Sequence, residues 1–195
     1  MEEQRKNGHA QKIALFGGSF DPPHVAHQMA CLYAREVGKA HQVWMVPCAL
    51  HPFGKPLTPF EHRVAMCGLA ACGLKGVDVS RVEEDLPGPN RTLDTVRHLY
   101  DNHPGFRFML VVGSDILKET HKWYGWDELV KLVDLLVVGR SGWGSGDHDF
   151  KLPDVSSSSI RRRLSEGLPV DHLVPGRVLD YIRKNRLYSK EKSPF

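Results

Sequence analysis

Ile13-Ala14-Leu15-Phe16-Gly17-Gly18-Ser19-Phe20-Asp21-Pro22-Pro23-His24-Val25-Ala26-His27 runs from an apolar stretch through a glycine turn into a helix opening. Residues 13–16 carry no polar side chain and stop at Gly17-Gly18, as a strand buried on both faces does. Two glycines let the backbone turn sharply and come close to a ligand. Pro22-Pro23 stiffen the approach to the helix. His24 and His27 are three apart and so share a face of its first turn. Backbone N–H groups and the dipole at a helix N-terminus favour anions. Two imidazoles beside that terminus suit a polyphosphate. A lone pair of histidines at this spacing more often lies idle on a surface; the strand-to-helix setting reverses that balance.

Four more apolar runs repeat the pattern outward from this one. Residues 43–46 stop at Pro47, residues 106–112 at Gly113 and residues 135–138 at Gly139, while residues 77–82 alternate with Val77, Val79 and Val82 apolar. Helical spacing fills the gaps, over residues 25–37, 60–74, 92–100 and 126–132. Strands alternating with helices predict an α/β fold, a Rossmann-like doubly wound and mainly parallel sheet of about five to six strands. Right-handed crossovers put helices on both faces, and ligands bind beyond the carboxyl ends of the strands. After the fifth strand come a glycine-rich stretch at 141–146 and an irregular segment to Asp154. Ser156 to Ser159 then open a helix over 160–166, and a last helix over 175–185 starts at Pro175. These form a helical C-terminal cap. One domain is expected at 12–188, between disordered tails at 1–11 and 189–195.

Composition narrows the class. The chain has 195 residues, 41 % of them hydrophobic, which excludes disorder as the main state. No stretch approaches the ~20 apolar residues of a membrane span, and the polar start lacks the apolar core of a signal peptide. A net charge of +3, from 26 Lys plus Arg against 23 Asp plus Glu, is too small to imply nucleic acid. Cys31, Cys48, Cys67 and Cys72 have neither CxxC spacing nor paired histidines, so free thiols are expected and no protein metal site. A cytoplasmic location follows, with no membrane or nucleic-acid partner. The oligomeric state, monomer or homo-oligomer, stays open.

The quoted string resembles the GxFDPxHxGH signature of the nucleotidylyltransferase superfamily, with Ala26 at its last glycine. The second half of that signature is commonly ISSTxIR, and Val155-Ser156-Ser157-Ser158-Ser159-Ile160-Arg161 stands in its place. More of the chain is similar to the bacterial nicotinate-nucleotide adenylyltransferases, from about Lys12 to Tyr188. His51-Pro52-Phe53-Gly54-Lys55 resembles their PPHK-like element, and Arg63 with Met66 their R..M helix. Asn90-Arg91-Thr92-Leu93-Asp94-Thr95 resembles SYTxDT, with Arg91 replacing the aromatic. Val112-Gly113-Ser114-Asp115 resembles an IGxD turn, and Trp123-Tyr124-Gly125-Trp126 a tryptophan loop that faces the pyridine ring. Leu187-Tyr188 matches the closing LY.

The resemblance implies an adenylyltransferase of NAD biosynthesis, joining the AMP of ATP to nicotinate mononucleotide with Mg²⁺ on the triphosphate. It implies that His24, His27 and Arg161 are the catalytic set, His27 stabilising charge on the α-phosphate. Gly17, Gly18, Ser19 and Phe20 would line the nucleotide cleft. Ser157 and Ser158 would hold the departing phosphates, Lys55 would add a second cation, and Asp115 would lie near the adenosine. Thr92, Trp123 and Tyr124 would hold the pyridine mononucleotide. The bland roles of single residues are a helix cap for Asp115 or a serine, and a half-buried core ring for Trp123. Other readings fit the same signature: a pantetheine-phosphate adenylyltransferase, a small cytidylyltransferase, or a nucleotide sensor without turnover. Nicotinate against nicotinamide mononucleotide is likewise open.

Overall fold

In the computed structural model, which describes residues 10–50, 54, 56–86, 91–140 and 151–189, the first apolar run is β1 (Gln11–Gly18). The strands β2 (Gln42–Pro47), β3 (Val77–Val79), β4 (Phe106–Gly113), β5 (Asp134–Arg140) and β6 (Lys151–Leu152) join it in one sheet. Their order is β3-β2-β1-β4-β5-β6, and every neighbouring pair is parallel. This is the doubly wound arrangement the sequence predicts. Between β1 and β4 the strand order reverses direction, and such a switch point opens a crevice at the carboxyl ends.

The register shows where it opens. β1 pairs with β4 only from Gln11 to Leu15, opposite Phe106 to Leu110. Beyond that point Gly17 and Gly18 pair with Val46 and Pro47 of β2, while Val111 to Gly113 pair with β5. The two central strands part just before their ends.

Residues alternate in direction along a strand, and the cores follow that period of two. Ala14, Met109 and Val111 pack on one face with α1 (Val25–Glu36) and α2 (Phe60–Ala71). Ile13, Leu15, Phe108, Leu110 and Val112 pack on the other with α3 (Thr92–Asn102) and α4 (Trp126–Leu132). The cap is α5 (Ser157–Ser165) and α6 (Gly176–Lys184). Ile160, Val178, Leu179 and Ile182 from these helices pack on Ala26 of α1 and Met66 and Ala70 of α2.

Local expectations change at four points. Val82 leaves the third strand for a 3-10 turn, Val82–Glu84; β3 stops where the β2 ladder reaches Pro47, which has no N–H to continue it. α5 begins at Ser157 because Ser156 caps it, accepting the Ser159 N–H at 3.2 Å. The segment expected to be irregular before Asp154 contains the two-residue edge strand β6. β1 also takes in Gln11, opposite Phe106, one residue ahead of the expected boundary.

Candidate functional site

The loop after β1 does not turn at its glycines. The left-handed residue is Phe20, with φ of 48°, and neither Gly17 nor Gly18 has positive φ. A Cβ on Gly18 would meet the Phe20 ring at 3.1 Å, so this glycine makes room for that ring. Gly17 has open space where its Cβ would be. Phe20 itself is 2 % exposed and packs edge-on against Phe16 and His27, with centroids 5.4 and 4.9 Å away. Holding a bulky residue in the left-handed region costs ~1–2 kcal/mol. That cost is spent where the chain must bring β1 round to the start of α1.

The two histidines are brought together there. His24 is the N-cap of α1 and is buried, and its ring stacks on that of His27 at 3.7 Å and 24°. The His24 backbone N–H donates to His27 Nδ1 at 3.1 Å. An imidazole that accepts at Nδ1 carries its neutral-state proton on Nε2. His27 therefore presents an N–H donor away from its anchor, over the N-terminus of a twelve-residue helix.

The serine run meets the same turn. Ser157 Oγ donates to the Pro22 carbonyl at 2.9 Å. One helical turn on, Arg161 Nη1 donates to the Asp21 carbonyl at 2.5 Å and lies 3.8 Å from Asp21 Oδ2. Arg161 Nη2 donates to Ser158 Oγ at 3.4 Å. Two helix N-termini, two imidazoles, serine hydroxyls and a guanidinium thus converge beside the parted ends of β1 and β4. This constellation concentrates donors and positive charge, which stabilises negative charge building on a phosphate.

A second group gathers on the α3–α4 side. Thr92 opens α3, and a Cβ on Gly125 (φ 64°) would sit 2.3 Å from the Leu93 side chain, so the tryptophan loop lies hard against that first turn. Trp123 is half-buried on the core of this face and edge-on to Trp126, centroids 5.7 Å apart. Tyr124 is 55 % exposed, and the Arg91 guanidinium lies 3.9 Å over its ring, a cation–π contact. Asp115 follows β4 and precedes the 3-10 turn Ile116–Lys118, whose start its side chain does not cap. Lys55, residues 51–53 and 87–90 and the glycine-rich stretch at 141–146 lie outside the described residues.

Three residues without an assigned role in the sequence hold the site. Arg63 of α2 is 1 % exposed and donates to the carbonyls of Thr58 (2.8 Å), Ser19 (3.0 Å) and Ala49 (3.4 Å), tying the loop after β1 to both ends of the loop after β2. Asp21 is buried, its carboxylate accepting from the Tyr188 hydroxyl at 2.6 Å and the Thr58 N–H at 3.3 Å. Asp21 and Tyr188 stand inside motifs already quoted, FDP and LY. No local pattern says that residues 167 apart would meet.

Known proteins resemble the chain in both sequence and fold. The cytidylyltransferase-like family matches residues 15–163. A "Probable nicotinate-nucleotide adenylyltransferase" of Anaeromyxobacter dehalogenans is 49 % identical over 91 % of this chain and 97 % of its own. A Myxococcus xanthus protein with the same description is 38 % identical over 95 % and 98 %. The fold is that of the Plasmodium falciparum nicotinic acid mononucleotide adenylyltransferase complexed with NaAD, with a TM-score of 0.78 at 24 % identity, covering 91 % of this chain and 97 % of that one. Matched along nearly its whole length, the chain belongs to the nicotinate-nucleotide adenylyltransferase family.

Proposed function

We propose that the protein joins the AMP of ATP to nicotinate mononucleotide, releasing pyrophosphate, as a step in NAD synthesis. The observation that carries this reading is the joining of the two signature halves. His24 and His27 stack at the start of α1 while Ser157 and Arg161 bond back to Pro22 and Asp21. Family membership supports the choice of substrates.

The chemistry needs no protein nucleophile. The 5′-phosphate of the mononucleotide attacks the α-phosphorus of ATP in line: a P–O bond forms there as the bond to the β-phosphate oxygen breaks, and pyrophosphate leaves. The protein's work is positioning and charge stabilisation. His27 Nε2–H donates to the α-phosphate as charge builds on it. His24, Ser158 and Arg161 hold the β- and γ-phosphates at the two helix N-termini. Mg²⁺ bound with ATP would be held by triphosphate oxygens and water and would supply charge neutralisation there, as its preference for oxygen ligands favours.

Thr92, Trp123 and Tyr124 form the surface for the pyridine nucleotide, and Asp115 lies toward the adenosine at the end of β4. Ala26, the departure from the signature, lies in the core that Met66 of α2 forms with Ile160 and Val178 of the cap. The extra carbon is absorbed in the core, which supports turnover over a silent nucleotide sensor. Among the described residues no helix is long and apolar enough to cross a membrane. We place the reaction in the cytoplasm, where the four free cysteines fit a reducing setting.

The test is an assay of purified protein with ATP or CTP against nicotinate mononucleotide, nicotinamide mononucleotide and phosphopantetheine. Dinucleotide formed from ATP, with the larger kcat/KM for nicotinate mononucleotide, is expected. A preference for CTP or phosphopantetheine overturns the reading.

A further inference from the structure

We propose that Tyr188, at the far end of the chain, is a positioning residue for the phosphate-binding Arg161 and acts through Asp21. The inference rests on the reading of Arg161 as a phosphate ligand.

Tyr188 follows α6 by four residues and has a φ of 64°, with Arg186 at 51°. L residues avoid the left-handed region unless contacts hold them there. Those contacts are visible. The Leu187 N–H donates to the Ile182 carbonyl at 3.0 Å, and Leu187 and Tyr188 pack on the cap core. The Tyr188 ring then places its hydroxyl on Asp21 Oδ1 at 2.6 Å, with Met66 Sδ 4.0 Å away.

Asp21 is 2 % exposed and faces two kinds of partner. Tyr188 and the Thr58 N–H occupy one oxygen each. Arg161 stands 3.8 Å from Oδ2 and donates to the Asp21 carbonyl. A buried carboxylate left without other donors draws a nearby guanidinium into a close pair and neutralises it. With both oxygens already engaged, Asp21 aligns Arg161 at longer range and leaves its positive field to a phosphate. Burial and the bond to Asp21 push the Tyr188 phenol far above its ordinary range, so it remains a donor at any working pH.

The test compares wild type, Tyr188→Phe, Asp21→Asn and the double variant. Tyr188→Phe deletes one oxygen and keeps the ring. ATP affinity is measured by calorimetry, and KM for each substrate by steady-state kinetics. Tyr188→Phe is expected to weaken ATP about fivefold, the factor that goes with one lost hydrogen bond, with KM for nicotinate mononucleotide unchanged. Because Tyr188 acts through Asp21, the double variant is expected to bind ATP no worse than Asp21→Asn. Unchanged ATP affinity in Tyr188→Phe, equal changes in both KM values, or losses that multiply in the double variant would each overturn the proposal. A wild type that binds no ATP would sink the phosphate-site reading with it, whereas normal wild-type binding and an unaffected Tyr188→Phe would sink this inference alone.

Discussion

The hydroxyl of Ser157 donates to the carbonyl of Pro22 at 2.9 Å, across 135 residues of chain. This bond fixes the first turn of α5 on the loop that opens α1. It aims both helix N-termini at one place. Removing it in Ser157→Ala leaves that carbonyl without its donor, and stability is expected to fall by about 1 kcal/mol. KM for ATP is expected to rise in the same variant while KM for the mononucleotide holds. Urea melts and initial rates with each substrate varied check both halves.

His27 makes the sharpest prediction. Its Nδ1 accepts from the His24 N–H, which puts the neutral ring's proton on Nε2, the proposed donor to the reacting phosphate. Loss of one transition-state donor costs ~10²-fold or more in kcat, so His27→Ala is expected to reach that range. ATP affinity should fall far less. A fluorescence melt alongside the kinetics separates lost chemistry from lost folding, because the His27 ring also packs on Phe20.

Much of this was readable in order along the chain. The runs ending at Gly18, Pro47 and Gly113 are β1, β2 and β4, because strands buried on both faces must be apolar throughout. The helix over residues 126–132 is found with the same bounds. What sequence could not give was set by tertiary contact. Phe20, rather than a glycine, takes the left-handed turn because a packed ring holds it there. Ala26 departs from a signature yet faces a core formed with α5 and α6, more than 100 residues downstream. Arg63 reads locally as one more helix cation, and only the fold sets three loop carbonyls around it.

That buried arginine carries the next prediction. Its partners are carbonyl oxygens and the Cys48 thiol, 3.9 Å away. Arg63→Leu strips the Thr58, Ser19 and Ala49 carbonyls of donors, and unfolding free energy is expected to drop by about 3 kcal/mol. Arg63→Lys should recover part of it, since one ammonium cannot span the positions a guanidinium reaches. Chemical denaturation of the three proteins measures the series.

Stability should also fall at alkaline pH for a stated reason. Burial pushes the Cys31 thiol from an ordinary 9.0 up to about 12, and Cys67 is raised by the same cause. In the unfolded chain both ionise above the ordinary value; in the folded chain they stay protonated. The stabilisation is therefore complete below pH 9 and is lost as pH climbs toward 12, by up to about 1.4 kcal/mol per pH unit for each thiol. Urea midpoints from pH 8 to 10.5 are expected to decline. The Cys31→Ala, Cys67→Ala double variant should show a shallower slope over the same range.

The joined histidine and serine–arginine loops are proposed to transfer an adenylyl group. The direct measurement follows the label from ATP carrying ³²P at its α-phosphate, incubated with nicotinate mononucleotide and Mg²⁺. The label is expected in the dinucleotide, matched one for one by pyrophosphate released, and His27→Ala should slow both together. ATP bound tightly by the wild type with no pyrophosphate released, or label retained on the protein, would contradict it.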